Sequence, residues 1–145
     1  MKLIFGVWDI PYSGKGVTTG VVANWLEKGT KTKDGRQKMG PYHIMQTYLN
    51  KNTDFVKKEI AEELTDILIR KRKVSSAVQM DAIAAGIREA ISLQAFNGTQ
   101  GNKIPTQAAL LGKTSRFKKG KKKGPRPSFI DTGLYQKSIR VILKP

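Results

Sequence analysis

Along this 145-residue chain the spacing of apolar and polar positions changes several times, and each change marks an element. Lys2 to Trp8 mixes β-branched and aromatic residues around Ile4 and Phe5, which predicts a strand that Pro11 ends. Tyr12 to Gly20 is a Gly/Ser/Thr loop. Thr18 or Thr19 stands where it can cap a short helix through Val21, Val22, Ala23, Trp25 and Leu26, stopped by Gly29. Residues 30–40 are polar and basic around Asp34-Gly35, a two-residue turn signal, and predict a basic loop or hairpin. Pro41 suits a first helical position, and Tyr42, Ile44, Met45, Tyr48 and Leu49 follow at helical spacing.

Asn52 or Thr53 is expected to cap a longer helix from Asp54 to about Lys71, with acids early and bases late, as the helix dipole favours. Val56, Ile60, Leu64, Ile67 and Leu68 form its predicted apolar face. Ser75-Ser76 is read as the start of a second long helix through roughly Phe96, with Met80, Ile83, Ala84, Ile87 and Ile91 at three- and four-residue steps. Gly86 lies inside it at a propensity cost of about 1 kcal/mol relative to Ala, so a packing reason for it is expected. Residues 99–127 form an extended basic loop or arm, interrupted by a short helical patch from Thr106 to Leu111. Asp131-Thr132-Gly133 is the structural turn that leads, through a capped helical turn at Leu134 to Lys137, into the β-branched strand Ile139-Arg140-Val141-Ile142-Leu143. The expected fold is α+β and spans residues 1–145 as a single domain. A small sheet holding the N- and C-terminal strands packs against two main amphipathic helices, and long basic loops project from it.

Composition narrows the function. The chain contains no cysteine and one histidine, which excludes disulfides and thiolate metal sites, so no structural metal or other cofactor is expected. No run approaches the roughly 18 apolar residues of a membrane span, and a soluble product made inside the cell is expected. The net charge of +16 is unevenly placed: residues 53–100 hold seven Lys/Arg against seven Asp/Glu, whereas residues 101–126 hold nine against none. Such a field favours polyanions or an acidic protein surface. The candidate contacts are Lys113, Arg116, Lys118, Lys119, Lys121, Lys122, Lys123 and Arg126 in the arm, with Lys31, Lys33, Arg36 and Lys38 in the hairpin. Phe117 is the one aromatic among the arm lysines, so stacking on unpaired bases has little support.

Three enzyme-like motifs do not hold. Gly14-Lys15-Gly16 lacks the Ser/Thr after the lysine that a phosphate loop needs, and Gly112-Lys113-Thr114 has Gln107 where the first glycine belongs. Asp131-Thr132-Gly133 looks like an aspartic protease loop. Leu134 stands where a small residue is usual, the second carboxylate would have to come from a second chain, and only twelve residues follow Gly133. Glu59, Glu62, Glu63 and Asp66 are read as the solvated side of an amphipathic helix. No enzymatic activity is expected.

Several separated stretches resemble one family. Val22-Ala23-Asn24-Trp25-Leu26-Glu27-Lys28-Gly29-Thr30 is similar to a helix end, and Met39 to Met45 matches loosely a proline-containing segment. Phe129-Ile130-Asp131-Thr132-Gly133-Leu134-Tyr135-Gln136-Lys137-Ser138-Ile139 is similar to the approach to a last strand. In this order, covering nearly the whole chain, they resemble the phage head–tail connector proteins, also called tail-completion, neck or virion-morphogenesis proteins. The chain departs from that pattern in the Pro41-Tyr42-His43 segment, in the apolar residue after Gly133 and in its lysine-rich arm. The resemblance implies a virion protein of the neck with no catalytic chemistry. Its homo-oligomeric ring, six subunits or alternatively twelve, would stand between a portal-side adaptor and the tail terminator or tube proteins. DNA would pass through the lumen.

Overall fold

The computed structural model describes residues 1–12, 16–31, 33–39, 41–70, 77–101, 104–105, 107–112, 124–130 and 133–144. The fold is α+β, with both terminal strands in one antiparallel sheet. β1 (Lys2–Val7) pairs with β5 (Ile139–Lys144), running from Lys2 opposite Lys144 to Val7 opposite Ile139. The short β4 (Val78–Gln79) pairs with the other side of β5, giving the order β1-β5-β4. β5 is thus the central strand of this sheet.

The register decides which side of the sheet is core. Leu3, Phe5 and Val7 stand opposite Leu143, Val141 and Ile139, and successive side chains alternate between faces. Ile139, Val141 and Leu143 are buried, and the three β1 residues pack against the same cluster. Against this face lies α4 (Asp81–Ser92), whose Ile83, Ile87 and Ile91 are fully buried at four-residue steps. On the opposite face Trp8 stays half exposed, with the Arg140 guanidinium 5.7 Å from its ring centre.

α1 (Thr19–Lys28) is started by Thr18, whose Oγ1 accepts from Val21 N, and is ended by Gly29 at φ 75°. The fully buried Thr19 ties this helix to the exit of β1: its hydroxyl donates to Trp8 O and accepts from Ile10 N. Asp9 accepts from Gly20 N, placing a carboxylate at the helix N-terminus, where the dipole favours it.

Four local expectations are corrected. Pro41 is not the first residue of a helix: α2 (Ile44–Lys51) begins three residues later, because Tyr42 N and His43 N both donate to Leu26 O and hold the approach non-helical. Asn52 and Thr53 do not cap α3 (Thr53–Ile69) with their side chains. Both bond backwards, Asn52 Nδ2 to Tyr48 O and Thr53 Oγ1 to Leu49 O, so α2 and α3 are separated by a one-residue break. Leu68 is 77% exposed because the core face of α3 is carried by Val56, Ile60, Leu64 and Ile67. The helix expected from Ser75-Ser76 begins at Asp81 and ends at Ser92. Val78–Gln79 pairs as β4, and Met80 N donates to Val141 O. Helical periodicity in the sequence extended across this strand because Met80 is buried in the same core as Ile83 and Ile87. Ser75 and Ser76 lie outside the described residues.

Gly86 has the packing role expected of it. A Cβ there would overlap the hydroxyl of the buried Tyr48, so α2 and α4 approach where side chain is missing.

Candidate functional site

The basic hairpin is built from β2 (Thr30–Lys31) and β3 (Gln37–Met39), paired antiparallel with an irregularity at Thr30/Lys31. Gly35 at φ 78° makes its turn. Lys31, Lys33 and Arg36 are exposed, and Lys38 lies within β3.

Of the arm, Lys113, Arg116, Lys118, Lys119, Lys121, Lys122 and Lys123 lie outside the described residues, but the chain on either side of them is placed. α5 (Gln107–Leu110) precedes the lysines. Gly112 N, just before them, and Arg126 N, just after, both donate to Ala109 O, at 3.1 and 3.0 Å. The chain therefore leaves and rejoins the fold at one carbonyl. Arg126 is half-buried, and its Nη1 reaches Ile130 O at 3.4 Å, so this cation belongs to the root of the arm.

Beyond Arg126 the returning chain is held to the end of α4. Gln94 Oε1 accepts from Ser128 N at 2.8 Å while its Nε2 donates to Ile91 O at 2.7 Å. Gln94 at φ 54° and Phe129 at φ 63° both adopt left-handed backbone, an uncommon geometry for such residues that surrounding contacts must hold. Phe129 then meets Tyr42 edge to face, ring centres 5.6 Å apart. Tyr42 is the residue through which the chain leaves the basic hairpin. Two basic loops nearly ninety positions apart thus have adjoining roots.

The turn into the last strand is placed in part. Gly133, at φ 72°, occupies the cap position of α6 (Leu134–Ser138), and Lys137 N donates to its carbonyl. Gly133 has no side chain to cap this turn, and Asp131 and Thr132, where a cap was expected, lie outside the described residues. The anchor is Tyr135, 3% exposed, more than the half-buried Leu134. Burial pushes the Tyr135 phenol well above its ordinary range, and the nearby Glu27 carboxylate and Tyr12 add to this.

Glu27 sits at this junction. Its Oε1 accepts from Met45 N at 2.8 Å and so caps α2, whose own cap residue, His43 at φ 48°, offers no side-chain bond. Desolvation by burial raises the Glu27 pKa, opposed in part by the Met45 N–H and by His43. The sequence marked Glu27 only as a motif letter, since a cap supplied eighteen positions away has no local signature.

Negative charge collects elsewhere. Glu59, Glu62, Glu63 and Asp66 of α3 face Gln79 and Asp81 across an open cleft of about 350 Å³. Asp66 pairs with Arg70 at 2.6 Å and Glu62 with Lys58 at 3.7 Å. Among the described residues no group of three or more His, Asp or Glu is arranged to hold a metal ion, and no helix is long and apolar enough to cross a membrane.

The site so defined belongs to a small α+β protein whose cationic loops are rooted in its core. No family model matches the chain, and neither a curated protein nor a solved structure matches it.

Proposed function

We propose that this chain is a structural protein of the phage neck, a subunit of a homo-oligomeric ring that joins the portal side of the head to the tail and lines the DNA passage. It acts by assembly and charge, without catalysis. The sequence support is the order of parts, a first strand, a Glu-Lys-Gly-Thr helix end, two long helices, a basic arm and an Asp-Thr-Gly turn into the last strand. The single structural observation that carries the reading is the shared root of the arm. Seven cations between Gly112 and Arg126 are tethered at one carbonyl of an ordered core, next to the root of a second basic loop. A polycation held this way gains phosphate contacts without reading sequence, because each contact releases condensed counterions from the nucleic acid.

Two measurements test it. Mass photometry of the purified chain should find a closed oligomer, six subunits or twelve. Binding to random-sequence duplex DNA should weaken steeply with salt, and replacing Lys118, Lys119, Lys121, Lys122 and Lys123 by Gln should reduce the log–log slope by up to about 4.5. An unchanged slope would remove the arm from the DNA-contacting role. A chain that stays monomeric yet binds DNA tightly would replace the ring with a stand-alone nucleic-acid-binding protein, the reading that the net charge of +16 favours next.

A further inference from the structure

Two guanidinium groups meet at the start of β5. Arg88 Nη2, reaching from α4, and Arg140 Nη1 both donate to Ile139 O, at 3.3 and 2.7 Å, so the two nitrogens lie within about 6 Å of each other. Arg140 Nη1 also donates to Lys137 O at 3.2 Å. These acceptors are neutral carbonyls, which leave two like charges uncompensated at a separation where they repel. Among the described residues neither guanidinium is in an ion pair with a carboxylate, Asp81 and Glu89 of α4 included. A guanidinium has five donors, and Arg88 Nε is buried with no hydrogen-bond partner. Much of the pair's bonding capacity is unused.

The pair stands beside an aromatic platform. The Arg140 guanidinium lies 5.7 Å from the Trp8 ring centre, and Trp8 is 54% exposed. Along the outer face of the sheet from Trp8 come Gly6 opposite Arg140, Ile4 opposite Ile142 and Lys2 opposite Lys144. A Cβ at Gly6 would meet nothing within 4 Å, so the sheet surface next to Trp8 is open. β1, β4, β5 and α6 contribute Lys2, Lys137, Arg140 and Lys144 and no acid. Asp9, the residue after Trp8, is taken up by Gly20 N at the start of α1.

We infer that this face binds single-stranded nucleic acid, with one phosphate held between Arg88 and Arg140 and the adjoining base against Trp8. A gap of up to about 6 Å accommodates an oxyanion making charge-assisted bonds of about 2.8 Å to each side. The guanidinium pair selects phosphate by charge, and the ring next to it selects a ligand that carries a flat base beside that phosphate. Lys2 and Lys144, four residues along the strands from Gly6 and Arg140 and so roughly 14 Å away, give the backbone a second cationic contact. Stacking on Trp8 requires an unpaired base, which separates this site from the lysine arm and its sequence-blind phosphate contacts. The inference goes beyond the neck reading and does not rest on it, since it holds for a monomer and a ring alike.

The test uses the full-length chain with Lys118, Lys119, Lys121, Lys122 and Lys123 replaced by Gln, so that the arm does not mask the site. Trp25→Phe in the same chain leaves Trp8 as its one tryptophan. Oligothymidylate should quench the Trp8 fluorescence and shift the NMR signals of the Arg88 and Arg140 Nε–H groups, whereas a duplex of the same length should leave the fluorescence unchanged. Arg140→Gln and Trp8→Ala should each weaken oligothymidylate binding roughly tenfold, the loss of one charge-assisted contact or one stacked base. Arg140→Lys, which restores the charge, should regain part of that loss, and circular dichroism checks that each variant folds. A role confined to holding Ile139 O predicts no response of Trp8 to the oligonucleotide. If oligothymidylate fails to bind, binds without moving Trp8 or the arginine signals, or is matched by duplex in quenching Trp8, the inference is overturned. Folded Arg140→Gln binding as tightly as its parent overturns it too. If inorganic phosphate shifts both arginine signals and oligothymidylate shifts neither, the pair takes small anions only and the nucleic-acid assignment falls. None of these results touches the ring or the arm, which mass photometry and the salt slope test separately.

Discussion

Two single residues show how locally unfavourable choices are settled by their surroundings. Gly86 weakens α4 by about 1 kcal/mol relative to Ala, but a methyl group there would overlap the hydroxyl of Tyr48 at the end of a buried, rigid ring. Overpacking costs about 1–3 kcal/mol, so Gly86→Ala should lower stability despite better helix propensity. In a Tyr48→Phe background the overlapping hydroxyl is gone and only the ring Cζ stays close, 3.2 Å from the added carbon, so the same change should cost less than in the parent chain. A denaturant double-mutant cycle measures both, and a Gly86→Ala variant more stable than the parent would show that the helices do not touch here. Glu27 is the second case. Its pKa is raised above the ordinary 4.5 by burial, so the folded chain keeps this proton to higher pH than the unfolded chain does. Its stabilising contribution is complete below the unfolded value and is lost as pH rises through the folded one. Glu27→Gln keeps an oxygen for Met45 N and removes the charge. Its melting temperature should therefore fall less than the parent's as pH rises from about 4.5 towards neutrality, and parallel curves for the two would refute the buried-carboxylate explanation.

At the scale of elements, the strands and helices follow the periodicity of the sequence except where a neighbour decides. β4 is two residues long and contains no strand signal of its own; it exists because Met80 N, Val78 and Gln79 meet the free edge of β5. α2 starts late because Leu26 O holds Tyr42 and His43. The arm root depends in the same way on Gln94, whose amide is shared between the end of α4 and Ser128. Gln94→Ala leaves the Ser128 N–H without its acceptor, a loss of about 1–3 kcal/mol for a part-buried donor. Hydrogen exchange should then speed up at residues 126–130 while Ile83, Ile87 and Ile91 stay protected. Equal acceleration in α4 would mean that the root and the core unfold as one unit.

Over the whole molecule, the sequence already specified an α+β fold, the two terminal strands, α1 with its Thr18 and Gly29 ends, the amphipathic α3 and α4, and a pronounced excess of positive charge. These are properties of spacing and composition over a few turns or residues, where each side chain's fate follows from its neighbours. The tertiary structure alone decided that β5 is the central strand, that Glu27 caps α2, and that the hairpin and arm are rooted together at Tyr42 and Phe129 while the acids of α3 face Asp81 across a cleft. Each of these joins residues distant along the chain, and nothing in a local pattern encodes which distant partner completes a hydrogen bond or fills an aromatic contact. Charge excess was therefore legible in the sequence, but that the roots of the two basic loops adjoin while the acids of α3 gather beside Asp81 arises only when Ile83, Ile87, Ile91, Ile139 and Val141 are buried in one core.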